Sequence, residues 1–254
     1  MIEGPRVLEG ALDRDAAVEV VYLAPTTQRA FAPLVARVEE RGIRIVELKE
    51  GVLERIGTTV TPQPVAALVS TALASPETLA ATAGDSGPLL VGVALQDPGN
   101  VGTILRSAEA AGSAGVLLTE GSVDVFHPKV VRASAGAVYG LPVADAGDAT
   151  MLLRVLREQG VRTIGTAMTA GSAYDATPLD GQVAIVLGNE GRGIAPDVGA
   201  ELDAWVHVPM AANAESLNVG VVASILVFES ARQRRTRAGR GPGPDAAARA
   251  ESPR

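Results

Sequence analysis

The 254-residue chain contains no cysteine, which excludes disulfides, thiolate zinc sites and a cysteine nucleophile. Histidine is nearly absent. Only His127 and His207 occur, so a multi-histidine metal cage is ruled out, and a Ser-His-Asp triad would need one of these two. Each reads first as an ordinary loop or strand-edge residue. Lysine is confined to Lys49 and Lys129. No stretch approaches the ~18 consecutive apolar residues of a membrane span. The start, MIEGPRVLEG, lacks the charged-then-apolar pattern of a secretory signal, so a cytoplasmic protein is expected, with no membrane and no metal among its partners.

What is present is a 47% hydrophobic composition, enough to bury a sizeable core in one large domain or two modest ones. The net charge of -7 argues against a chain that coats nucleic acid indiscriminately. That average hides an asymmetry. From Arg232 to Arg254 seven arginines face Asp245 and Glu251, a local balance of +5 that leaves -12 on the preceding part. The basic end reads either as a phosphate-touching tail or as a solvated one rich in Gly, Pro and Ala.

Hydrophobic patterning predicts two α/β units and no internal repeat. In the first, strands over 18–23 (VEVVYL), 43–48 (IRIVEL) and 65–69 alternate with a helix over 30–41. Residues 70–88, rich in Ala, Ser, Thr, Gly and Pro without strong periodicity, read as a linker. From Leu89 onward the strands LLVGVAL, GVLLTEG, RTIGTAM, VAIVLG and WVHVPM alternate with helix-like segments, which implies a mainly parallel sheet covered on both faces. A last helix over 216–235 carries Leu217, Val221, Ile225 and Phe228 at helical spacing.

Ligands of such sheets sit beyond the carboxyl ends of the strands, so the segments that follow strands hold the candidate chemistry. The first is LQDPGNVGTILRSAEAAG, 95–112, an amphipathic helix with Asn100 as a plausible N-cap and Gly112 as its stop. Arg106 lies off the buried stripe, about 120° around the helix from Asn100, where the two can flank one cleft. Taken alone it reads as a solvated arginine. The second is VAIVLGNEGRGI, 183–194, whose G-x-x-G-x-G loop lets a ligand approach the backbone closely. It is neither the dinucleotide pattern G-x-G-x-x-G nor a triphosphate loop. The third, 206–232, ends a strand at Pro209 and opens a helix at Ser216. An N-cap role explains Ser216 well and Asn218 poorly.

Together, N-V-G-T-I-L-R, then L-G-N-E-G-R-G, then V-P-M-(x)5-S-L-N-V resemble, in order and spacing, the three motifs of the SpoU/TrmH family of RNA ribose 2'-O-methyltransferases, members of the SPOUT superfamily. The opening IEGPRVLEGAL further resembles the ribosomal-protein-like substrate-binding domain of rRNA-directed members. The chain begins within what resembles that domain's first helix, which implies either a missing basic leading segment or a start upstream. The implied organisation is an N-terminal RNA-binding α/β domain over 1–70, a linker over 71–88, a SPOUT α/β domain with a deep trefoil knot over 89–235, and a flexible tail over 236–254. The knot is an exception to the rule that chains are unthreaded.

The resemblance implies S-adenosyl-L-methionine as cofactor, held through Thr166, Ala167, Leu187, Gly188, Gly191, Val208, Met210, Ser216, Leu217 and Val219. It implies catalytic roles for Asn100, Arg106, Glu190, Ser216 and Asn218, and a homodimer to which the face carrying Leu226 and Phe228 contributes. Family proposals make the arginine a base. A charged Arg106 that stabilises the developing alkoxide avoids the cost of a neutral guanidinium. Lys129 and Arg132, in HPKVVRASAG, are candidates for RNA phosphate. The RNA is expected to be 23S rRNA. The other readings are a tRNA 2'-O-methyltransferase, a non-catalytic RNA-binding module of the same fold, and a doubly wound nucleotide-binding enzyme of other chemistry.

Overall fold

A computed structural model describes residues 1–57, 63–84, 86–211 and 216–239. The first unit contains β1 (Ile2–Glu3), α1 (Pro5–Leu12), β2 (Val18–Leu23), α2 (Pro25–Ala30), α3 (Ala32–Glu40), β3 (Arg44–Glu47), α4 (Leu53–Ile56) and β4 (Val65–Val69). Its sheet has the order β1-β4-β2-β3, with β2 and β3 parallel and the other pairs antiparallel. The helix expected over 30–41 forms as α3, Ala32–Glu40, and the short α2, Pro25–Ala30, precedes it as an additional helix. Pro33 falls in the first turn of α3, and Phe31, at φ -116° and ψ 35°, breaks the chain between them.

The second unit adds α5 (Pro76–Thr82), β5 (Leu89–Gly92), α6 (Pro98–Ala111), β6 (Gly115–Leu118), α7 (Pro128–Ala133), β7 (Val143–Asp145) and α8 (Ala149–Glu158). It continues with β8 (Arg162–Thr166), β9 (Ser172–Ala173), β10 (Val183–Leu187), α9 (Pro196–Ala200), β11 (Ala204–His207) and α10 (Val219–Arg237). All seven strands run parallel in the order β7-β6-β5-β10-β8-β11-β9. The strand order reverses between β5 and β10, where this architecture places its ligand crevice.

Alternation along the strands builds two cores. Leu90, Val116, Ile164, Ile185 and Val206 face α6, α7 and α10 and share one apolar cluster with the N-terminal unit. Leu89, Val91, Leu117, Ala184 and Val186 face the other way, into a cluster with α5 and α8. The stretch expected as a linker, 71–88, therefore contains a working helix. Ser75 caps α5 by accepting from Thr78 N at 3.1 Å, and Leu79 and Ala80 are buried. With one strong apolar anchor in an Ala-rich turn, α5 has too little periodicity to be visible in the sequence.

Local chemistry sets the ends of the two helices that frame the site. Asp97, not Asn100, caps α6: its carboxylate accepts from Asn100 N at 2.9 Å, Pro98 occupies the first helical position, and Gly112 closes the helix at φ 67°. Ser216 does not open α10; Asn218 does, accepting from Gly220 N at 2.9 Å and Val221 N at 3.3 Å. The two helices lie side by side, joined by a 2.7 Å hydroxyl pair between Ser107 and Ser224. Arg234 of α10 donates to the terminal carbonyls of α6, Ala111 at 2.6 Å and Gly112 at 3.1 Å. Residues 240–254, and with them most of the expected tail, lie outside the described residues.

Leu79→Ala separates a core helix from a linker. If α5 is part of the core, chemical denaturation will show a loss of about 2–5 kcal/mol; a change within about 0.5 kcal/mol, as at an ordinary surface position, would contradict it.

Candidate active site

The ends of three strands and the first turns of two helices converge on one crevice of about 720 Å3. It is lined after β8 by Thr166, Ala167 and Met168, and after β10 by Gly188 through Ile194. Val208 and Met210 follow β11, and Ser216 through Val219 lead into α10. Asn100 reaches it from the first turn of α6.

A hydrogen-bonded chain ties these segments together. The Glu190 carboxylate accepts from Gln96 N at 3.3 Å, Asp97 N at 3.1 Å and Asn100 Nδ2 at 3.0 Å. Asn100 Oδ1 in turn accepts from Asn218 Nδ2 at 2.7 Å, and Asn218 Oδ1 caps α10. Burial pushes the Glu190 carboxyl up, but the Asn100 amide and the backbone N–H groups outweigh it, so the group is held below the usual carboxylate range. Glu190 is thus an ionised anchor with its lone pairs committed, and a weak base.

The glycine loop has a mechanical reason for its composition at two positions. A Cβ on Gly188 would lie 2.5 Å from the Gly193 carbonyl carbon and 2.6 Å from Ile194 N, and Gly193 itself turns at φ 67°. Asn189 makes the turn: its backbone pairs with Gly193, its Oδ1 accepts from Gly191 N and Arg192 N, and its Nδ2 donates to the Ala94 carbonyl at 2.7 Å. Ala94 stands at φ 50°, a conformation that costs a residue with a Cβ about 1–2 kcal/mol. Gly191 is different. Its Cβ would meet only Asn189 Oδ1, at 3.8 Å, so the fold does not require glycine there.

Of the candidate cofactor residues, Thr166, Ala167, Gly188, Gly191, Val208, Met210, Ser216, Leu217 and Val219 line the crevice. Leu187 does not: it is fully buried in the sheet, and its carbonyl accepts from Val93 N at 2.9 Å. Among the candidate catalytic residues, Asn100, Glu190, Ser216 and Asn218 are brought together, whereas Arg106 is exposed on α6 outside the crevice of its own chain. The 120° rotation turns Asn100 inward and Arg106 to the surface. Lys129 and Arg132 stand on α7, away from the lining. His127 caps α7 through Nδ1, which accepts from Lys129 N at 3.2 Å. No group of metal-ligating side chains occurs among the described residues. Leu226, expected on an exposed face, is buried in the core, while Val221 and Phe228 are exposed.

Sequence reasoning missed Asp97, Asn189, Met168, Trp205, Ile194 and Arg192. Arg192 shares the crevice lining with Glu190 as its only other charged side chain among the described residues. Its position within the glycine loop was the available signal.

The profile of the SpoU rRNA Methylase family matches residues 88–228, and that of the MRM3-like substrate binding domain matches 1–67. The chain belongs to the SpoU rRNA methylase family. It is 34% identical to the 23S rRNA (guanosine(2553)-2'-O)-methyltransferase RlmP of Bacillus subtilis, over 90% of this chain and 86% of that protein. It is 38% identical to an uncharacterized tRNA/rRNA methyltransferase of Mycobacterium tuberculosis, over 85% of this chain and 68% of that one. The AdoMet-bound rRNA methyltransferase from Sinorhizobium meliloti superposes with a TM-score of 0.75 at 29% identity, over 91% of this chain and 86% of that one.

Two measurements test this construction. Gly191→Ala should leave the melting temperature nearly unchanged yet weaken S-adenosyl-L-methionine binding in calorimetry, while Gly188→Ala should lower the melting temperature. Equal melting losses in the two would refute the distinction. For Glu190, a lowered folded-state pKa means its stabilisation is complete above its ordinary value of 4.5 and disappears as pH falls through the lowered value. The stability gap between the native chain and Glu190→Gln should therefore be constant at neutral pH and close in acid. A gap that widens in acid would reverse the sign.

Proposed function

We propose that this protein transfers the methyl group of S-adenosyl-L-methionine to a ribose 2'-hydroxyl of 23S rRNA, in the cytoplasm and as a homodimer. The observation that carries the reading is the crevice at the strand-order reversal, tied together by Glu190, Asn100 and Asn218. Family membership supports it, as do the names of the B. subtilis and S. meliloti relatives.

The residues present fit the cofactor. A crevice of about 720 Å3 is of cofactor size, and its walls combine Met168, Ile194, Leu217 and Val222 with backbone from the glycine loop. Such walls suit an adenine, which needs an apolar slot and a few backbone partners. Bound there, S-adenosyl-L-methionine supplies a methyl group already activated on a sulfonium. The chain's own task is to exclude water, orient the ribose and ease loss of the hydroxyl proton. Glu190 and Asn100 hold the mouth of α6 against the glycine loop, and Asn218 holds α10 against both. The trefoil knot implied by the resemblance belongs to this proposal, since it would bring the third segment beside the second.

Arg106 enters from a second copy of the chain. It has no place in its own crevice, yet it is exposed on α6, and α10, packed beside α6, exposes Val221 and Phe228. A dimer through these two helices covers the apolar residues and delivers a charged guanidinium to the partner's site, where it steadies the developing alkoxide. Lys129, Arg132 and the 1–67 domain contact the RNA, with the phosphate contacts positioning it.

Arg106→Ala should bind the cofactor with unchanged affinity in calorimetry and lose methyl transfer onto deproteinised 23S rRNA. Mixing it with Asn218→Ala, itself inactive, should restore activity through heterodimers that carry one complete site. Loss of cofactor binding in Arg106→Ala, or no restoration on mixing, would contradict the division of roles. Transfer onto tRNA in preference to 23S rRNA would move the substrate to the other RNA.

A further inference from the structure

Helix α6 has the crevice at one end and a second, unassigned cluster at the other. Asn100 lies in its first turn and Glu109 in its last. A carboxylate at a helix C-terminus adds to the negative end of the dipole and is unfavourable unless matched. Here it is matched by Arg14, which follows α1 in the N-terminal unit. Arg14 Nε donates to Glu109 Oε1 at 2.5 Å and Nη2 donates to Oε2 at 2.7 Å, a two-pronged pair, while Nη1 donates to the Gly10 carbonyl at 2.8 Å. Side-chain exposures of 24% and 25% mark the pair as largely withdrawn from water, unlike the surface pair of Arg37 and Asp13 at 39% and 59%.

Around the pair the two units touch backbone to backbone. A Cβ on Gly10 would lie 2.7 Å from the Ala135 carbonyl oxygen, and one on Gly136 would lie 2.9 Å from the Gly10 carbonyl carbon. Ala135 and Gly136 both hold left-handed conformations, φ 50° and 86°, to make that approach. Gly140 closes the remaining side, since a Cβ there would strike Glu109 Oε1. The apolar cluster runs without interruption from Leu8 and Leu12 of α1 to Leu105 and Ala108 of α6. Domains joined by modest polar interfaces move relative to each other by default. This seam has continuous apolar packing, a bidentate ion pair and no room for a side chain at its glycines.

We propose that Arg14 and Glu109 are positioning residues for RNA: they lock the N-terminal sheet unit and the methyltransferase unit into one rigid body, so that RNA held on the first meets the crevice at a fixed distance and angle. The proposal rests on the reading of residues 1–67 as an RNA-binding domain. Its energetic content is preorganisation. A fixed spacing spares the complex the entropy of arresting a mobile domain, and that gain appears in RNA binding but not in cofactor binding.

The absence of cysteine allows a direct test, because two engineered thiols are the only ones present. Arg44→Cys on β3 and Glu158→Cys on α8 are exposed and stand apart from both crevice and seam. Spin labels there should give one narrow distance distribution in the otherwise native full chain. Arg14→Met, and separately the shape-preserving Glu109→Gln, should broaden it. In the unlabelled variants the KM for deproteinised 23S rRNA should rise about tenfold, with kcat at saturating RNA and calorimetric affinity for S-adenosyl-L-methionine unchanged. A broad distribution in the native chain, or a narrow one in both variants, overturns the lock. Broadening with an unchanged KM overturns the positioning role while leaving the methyltransferase reading intact. Failure of that reading shows separately, as a native chain that transfers no methyl group, and the distance distributions still decide the lock.

Discussion

The candidate site depends on one ionised carboxylate. Glu190 sits in a glycine loop yet accepts from three donors of another segment, two backbone N–H groups and the Asn100 amide. Hydrogen bonds to a charged acceptor are each worth about 1.5–3 kcal/mol when sheltered, and less at this partly exposed position. Their effect is geometric more than energetic. They fix the start of α6 against the end of β10, and through Asn100 and Asn218 they also fix the start of α10. Three segments, the most distant 118 residues apart in sequence, thereby share one crevice.

The same chain of contacts explains a division of labour between the two ends of α6. At its first turn the helix serves the crevice; at its last it carries the ion pair to Arg14. Between them Ile104, Leu105 and Ala108 are buried, which keeps the helix from rolling or sliding. A stiff element with one end at the chemistry and the other at the neighbouring unit transmits position without needing to move. The exposed side of that helix is then free for a second chain, and Arg106 stands there.

Much of this was legible in the sequence, for physical reasons that differ by element. The strands LLVG, GVLL and VAIVL are continuous apolar runs because both faces of their sheet are covered. The family resemblance implies Asn100, Glu190, Ser216 and Asn218 as one site, and all four line the crevice. The strand VAD over 143–145 was missed because it is three residues long with an exposed acid at its end. Helix α5 was missed because Leu79 is its single large anchor. Both helix starts were misplaced by a few residues, since Ser, Asn and Asp all cap helices and only the hydrogen bonds discriminate among them. Helical phase gives the angle between Asn100 and Arg106 but not whether both reach one crevice, and only Asn100 lines it within this chain.

The most direct test of the central claim uses the chemistry of the 2'-hydroxyl itself. Alkali cleaves RNA through that hydroxyl, so a methylated ribose protects the adjoining bond and survives as part of a dinucleotide. The native protein is incubated with S-adenosyl-L-methionine labelled in its methyl group and deproteinised 23S rRNA, and the RNA is then hydrolysed in alkali. The account predicts label in alkali-resistant dinucleotides. Label in mononucleotides, which marks a methylated base, or no label from a protein that binds the cofactor, would contradict it.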